Sequence, residues 1–188
     1  MRNHKLTLEE FKKCLIALDT KLDGEKLVIR AIGGFALMYL GIRKTGYTGD
    51  IDTVSHDFNP HITKLIEEVA KEEEIGNGWL NNDNVLDNDV ENVERMLEPF
   101  WEQSDWQFEN ITLYVADAET LLRSKIIAAE DEELTGRMQD YPDMLDIFTR
   151  LGLNTVEACI DYCADNMDIN LKSEYPNVFA RLPSAFQD

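Results

Sequence analysis

A short apolar run, Leu27-Val28-Ile29-Arg30-Ala31-Ile32, stops at Gly33-Gly34, and apolar residues resume from Phe35 to Leu40. Few chain paths satisfy that succession. A run of this length bounded by a breaker suits a buried strand, and the segment after it is long enough for a short helix. The glycine pair between them lets the backbone come close to a ligand. Beyond a polar loop with three glycines, Gly41 to Gly49, the segment Asp50-Ile51-Asp52-Thr53-Val54-Ser55 alternates with period two. That alternation predicts a half-buried strand.

The flanking sequence supplies helices. Thr7-Leu8-Glu9-Glu10 reads as a capping box opening a helix to about Leu22, with Leu8, Phe11, Leu15 and Leu18 as its stripe. Pro60 opens another to about Glu74, with Ile62, Leu65, Ile66 and Val69 inward. Residues 76–88 are rich in Gly, Asn and Asp and read as a loop; 89–104 read as a helix with Val93, Met96, Leu97 and Phe100 on one side. One or two strands are expected between Trp106 and Val115. Asp117 and Asp140 are read as caps of helices reaching about Glu130 and Leu151. From Asn154 the tail is expected to be helical in two pieces, with a break near Pro176 and an end near Pro183. The prediction is an α/β (α+β) fold: a small mixed sheet flanked by helices, residues 1–116, with a helical C-terminal part, 117–188, packed on it as one compact unit.

Chemistry concentrates at the glycine pair and the aspartates. In Asp-x-Asp on a strand, positions i and i+2 face the same way. Two ionised carboxylates side by side repel each other, so the arrangement is costly without a cation. Hard oxygen ligands of this kind suit Mg²⁺, which keeps substrate phosphates and water as its other ligands. N–H groups at the start of the helix after Gly33-Gly34 would favour phosphate. Asp50 and Asp52 are thus predicted to hold Mg²⁺ against a nucleoside triphosphate gripped at Gly33 and Gly34.

At this point the sequence resembles a known family. Gly33-Gly34 followed by Thr48-x-Asp50-Ile51-Asp52 looks like the signature of the nucleotidyltransferase superfamily of the DNA polymerase β type. Within it, the chain is most similar to small bacterial proteins related to AbiEii-type abortive-infection toxins. Glu119-x-Leu121-Leu122-x-x-Lys125 with Asp140-x-x-Asp143 resembles later motifs of those proteins, and Trp79-Leu80-Asn81 resembles uncharacterised relatives. The resemblance implies a nucleotidyltransferase-type fold and an enzyme moving a nucleotide from an NTP to an acceptor. It implies Asp50 and Asp52 as catalytic metal ligands, with Lys125 and Asp143 joining them. Thr48 and Arg43 would contact the nucleotide, although Arg43 lies seven residues before Asp50, farther than relatives place their arginine. Glu109, or less well Asp105, would supply a third carboxylate. The acceptor is open: an RNA end, a protein or a small molecule. A toxin-type role implies an antitoxin-type protein partner; the alternative is an inactive module that binds a nucleotide or a partner.

Two of these residues also stand out on their own terms. Lys125 falls within the inward face formed by Leu121, Leu122, Ile126 and Ala129, where an ammonium is expensive unless it meets an anion or snorkels to solvent. Asp143 borders the stripe Met144, Ile147, Phe148 and Leu151, but it also sits in an acid-favouring first turn. Arg137 is either a phosphate-neutralising residue or an ordinary surface arginine, and Trp79, Trp101 and Trp106 either offer faces for a base or fill core and rim. The three histidines, His4, His56 and His61, form no site.

The chain carries 37 acidic against 18 basic residues, a net charge of −19. Such a field repels nucleic acid and anionic membrane unless cations cluster, and it leaves a basic protein partner conceivable. Three sparse cysteines argue against a disulfide framework. Cys159 and Cys163, one helical turn apart, read as core residues. No long apolar span and no apolar signal region are visible, which predicts a cytoplasmic protein without membrane contact.

Overall fold

A computed structural model of the chain describes residues 5–55, 57–82, 99–131 and 139–186. His4, His56, Arg137 and most of the helix expected over 89–104 lie outside the described residues. The fold is α+β: among the described residues, eight helices accompany a five-stranded mixed sheet. No described helix is long and apolar enough to cross a membrane. The chain forms two compact units, Met1–Asp117 and Ala118–Asp188.

The first unit holds the sheet. Helix α1, Leu8–Lys21, opens on the expected capping box: Thr7 Oγ1 accepts the Glu10 N–H, and a Glu10 carboxylate oxygen accepts the Thr7 N–H at 2.8 Å. β1, Leu27–Ile32, runs straight into α2, Gly33–Tyr39. β2 is Ile51–Thr53, and α3, Pro60–Glu72, is capped by Asn59 with Pro60 at its first position. β3 is Leu80–Asn81, β4 is Trp101–Gln103 and β5 is Ile111–Ala116. The sheet order is β3-β2-β1-β5-β4. β1 pairs parallel with β5 and antiparallel with β2, placing Ile32 opposite Asp52. β2 pairs parallel with β3, placing Asn81 beside Asp52. Phe11, Leu15, Phe35, Ile29 and Leu113 are fully enclosed in the core of this unit.

The second unit is helical: α4, Ala118–Glu130; α5, Asp140–Arg150; α6, Val156–Met167; α7, Leu171–Glu174; and α8, Pro176–Ala185. Leu121, Leu122, Ile126, Met144, Ile147 and Phe148 are buried in it. So are Cys159 and Cys163, and Cys14 is buried in the first unit; all three are free thiols.

Several expectations are corrected. Residues 101–103 are not helical: they form the edge strand β4, paired antiparallel with β5. Phe100, expected on an inward stripe, is 65% exposed. The loop 76–88 contains β3. It is anchored by the enclosed Trp79, whose Nε1 donates to the Ile66 carbonyl at 3.2 Å. Asn82 then continues the ladder with its side chain, accepting from Ser55 N–H and donating to Ser55 O. Of the one or two strands expected between Trp106 and Val115, the chain forms one, β5. The Asp19 carboxylate draws the N–H groups of Glu109, Asn110 and Ile111 onto itself, which holds 109–110 out of the sheet. Asp140 is no cap; it is the first residue of α5, preceded by Gln139, which makes no side-chain cap bond. The tail breaks twice, at the left-handed Asp168 and at Tyr175, and α8 passes through Pro183.

Candidate functional site

The site in the first unit begins where β1 ends. Gly33 has φ +65°, a backbone conformation that side chains rarely adopt. A Cβ built on Gly33 would lie under 3.0 Å from Asp52 Oδ2. The cause is the antiparallel register, which sets Asp52 opposite Ile32 so that its carboxylate leans on the next residue. Gly34 is hemmed in as well. Its Cβ would sit 2.5 Å from an Arg43 guanidinium nitrogen and 2.6 Å from Thr48 Oγ1. Both glycines are therefore required by the close approach of three polar side chains, Asp52, Arg43 and Thr48.

Asp50 directly precedes β2. Asp50 and Asp52 are half-buried while Ile51 and Thr53 are fully enclosed, so burial keeps the strand period through the pair. Arg43 and Thr48 reach Gly34 because the loop folds back along the N-terminal segment. The Leu6 N–H donates to Thr48 O at 2.6 Å, and the Thr48 N–H donates to Leu6 O at 3.0 Å. The gap of seven residues between Arg43 and Asp50 thus does not remove Arg43 from the glycine pair.

Other residues fall elsewhere. Glu109 is not with the aspartates. It precedes β5 at the end of the sheet where Leu27 pairs with Ile111, whereas Gly33 and Asp52 sit beyond the other end of β1. Six residues of strand separate the two ends, roughly 3.3 Å per residue. Asp105 is engaged by Tyr39, whose hydroxyl donates to Oδ1 at 2.6 Å. Trp79 is enclosed and offers no face to a base. Trp106 packs edge-on against Phe35 and Tyr39. Two residues join the site that sequence reasoning did not place there. Asn81 lies beside Asp52 through the β2–β3 register. Asp117 directly follows β5, at the end of the sheet that carries Gly33. The Trp-Leu-Asn motif was a signal for Asn81. Asp117 had none, because only the parallel β1–β5 register brings it there.

The donor set suits a hard cation. Two half-buried carboxylates two positions apart offer hard oxygen ligands, and Mg²⁺ takes only one or two carboxylates where substrate phosphate completes its shell. Among the described residues, no three or more His, Cys, Asp or Glu side chains group as a metal site, so substrate and water would have to supply the remaining oxygens.

The second unit contains a polar cluster. The Lys125 ammonium is 2.6 Å from Asp140 Oδ1 and 3.1 Å from Asp143 Oδ2, with all three residues buried. Gln139 Nε2 donates to Asp143 Oδ1 at 3.1 Å. Lys125 thus meets carboxylates instead of snorkelling to solvent, and Asp140 belongs to the cluster as fully as Asp143. Burial of an ammonium demands this kind of pairing.

Comparison with known protein families, with characterised proteins and with solved structures finds no match to this chain.

Proposed function

We propose that the chain is a Mg²⁺-dependent nucleotidyltransferase that moves a nucleoside monophosphate from an NTP to an acceptor hydroxyl. The observation that carries this reading is the contact of the Asp52 carboxylate with Gly33, backed by Arg43 and Thr48 against Gly34. Asp50 and Asp52 would hold the cation. When bound, Mg²⁺ neutralises phosphate charge and polarises the phosphorus–oxygen bonds. Arg43 is the fitting partner for a phosphate oxygen, since its planar fork gives charge-assisted hydrogen bonds. Thr48 adds a hydroxyl donor. Gly33 and Gly34 let the Asp52, Arg43 and Thr48 side chains gather closely against the turn.

In the transfer, the acceptor oxygen forms a bond to the α-phosphorus. The bond from that phosphorus to the pyrophosphate oxygen breaks, pyrophosphate leaves, and the acceptor proton passes to water. Asp117 is the fitting third carboxylate by its place at this end of the sheet. Lys125 and Asp143, which the resemblance joins to the metal ligands, are ion-paired with each other in the second unit.

A toxin-type role, with RNA as acceptor and an antitoxin-type partner, is one form of this reading. Incubating the protein with each α-labelled NTP, Mg²⁺, total RNA and cell protein tests it. Label should appear in one acceptor class and vanish with Asp50→Ala or Asp52→Ala. Absence of both transfer and NTP binding in the wild type would sink the proposal, while binding without transfer would support the inactive-module alternative.

A further inference from the structure

We infer that Lys5, Lys44 and Tyr47 form a cationic lip on this site that selects the terminal phosphate of a triphosphate; the inference rests on the nucleotidyltransferase reading above. In a chain with 37 carboxylate side chains, residues 26–49 hold Lys26, Arg30, Arg43 and Lys44 and no Asp or Glu at all. The loop within that stretch is where Arg43 and Thr48 meet Gly34. The N-terminal segment adds a further cation. Leu6 is buried and exchanges two backbone hydrogen bonds with Thr48, which brings Lys5 alongside the loop. The Lys5 ammonium stands 4.3 Å over the centre of the Tyr47 ring. The ring face attracts a cation, so Tyr47, itself 42% exposed, holds that charge at the edge of the site. Lys44 is exposed on the same loop.

Contacts run in one order along the backbone: Asp52 at Gly33, Arg43 and Thr48 at Gly34, then Leu6 and Lys5 against Thr48 and Tyr47. In this proposal a polyphosphate whose metal-bound end lies at Asp52 follows that order, so that the added phosphate of a triphosphate is the one directed toward Lys5 and Lys44. On a molecule of net charge −19, most other surface would repel that phosphate.

The test compares each Mg²⁺–NTP with its Mg²⁺–NDP by calorimetry, in the wild type and in the double variant Lys5→Ala/Lys44→Ala, with Mg²⁺–tripolyphosphate as a probe without a base. The double variant should lose about tenfold in triphosphate affinity and leave diphosphate affinity unchanged. Tyr47→Phe, which keeps the ring, should preserve the triphosphate preference, and Tyr47→Ala should reduce it. Melting curves of each variant check that the fold is kept. Nucleotide transfer with a preference untouched by the lysine variant overturns the lip alone. Tripolyphosphate binding that the variant weakens, without NTP transfer, keeps the lip and removes the nucleotidyltransferase reading. No binding of either probe by the wild type overturns both.

Discussion

Gly33 is the residue on which the candidate site turns. Its φ of +65° disfavours any side chain, and its missing Cβ leaves room for the Asp52 carboxylate. Gly24 offers a comparison at the same scale: its φ is +95°, but nothing lies within 4 Å of a Cβ built there. Gly24→Ala therefore carries backbone strain alone, on the order of 1–3 kcal/mol. Gly33→Ala carries the strain and a collision with a side chain that the proposed metal needs in place. Urea unfolding should show a larger loss for Gly33→Ala, and Mg²⁺-dependent nucleotide binding should be lost in that variant while Gly24→Ala retains it. Equal losses in both assays would mean that the approach of Asp52 to the glycine has no consequence. Gly34→Ala should be milder in stability, because Gly34 lacks the positive φ of Gly33 and the Arg43 guanidinium it meets ends a flexible side chain, and harsher on nucleotide binding than on folding.

At the scale of elements, α4 and α5 are tied by the buried Lys125, Asp140 and Asp143. Lys125→Met removes the ammonium and strands two carboxylates, and breaking a buried pair in this way costs about 3–5 kcal/mol. Asp143→Asn, which keeps the shape and lets Gln139 and Lys125 remain partnered, should cost less. Chemical denaturation of the two variants checks the order; a Lys125→Met variant as stable as the wild type would remove the cluster's structural role. How much of the fold was legible follows the same division. The capping box at Thr7, the run Leu27–Ile32, Pro60 and the inward face of Lys125 are local signals, and each element appeared within a residue or two of its expected bounds. The glycine pair and the aspartates were legible for the same reason: spacing on one strand and one turn. What failed was set by distant partners. β4 exists because β5 pairs with it. Glu109 lies at the end of β1 away from Asp52, with its N–H bonded to Asp19, ninety residues earlier in the chain. Asp140 left its cap for Lys125. Asp117 reaches the site through the β1–β5 register, which no window of sequence contains.

For the molecule as a whole, three buried thiols set an alkaline limit. Burial pushes Cys14 and Cys159 up to about 11 and Cys163 up to about 12, because a thiolate in an apolar setting loses its hydration. In the unfolded chain the same groups ionise near their ordinary value of about 8.5. Below that value both states hold the proton and the thiols leave folding unaffected by pH. Above it the unfolded state releases three protons that the folded state retains, so stability falls as pH rises, through to about 12. The melting temperature should therefore decline from about pH 9 upward, and a Cys14→Ala/Cys159→Ala/Cys163→Ala variant, though less stable at neutral pH from lost packing, should show a shallower decline. Salt separates this effect from the general repulsion of a chain with net charge −19. Screening at high ionic strength raises the melting temperature at every pH by weakening that repulsion, but it leaves the alkaline slope of the wild type steeper than that of the variant. Identical slopes at high salt would show that the thiols ionise in the folded protein as freely as in the unfolded chain.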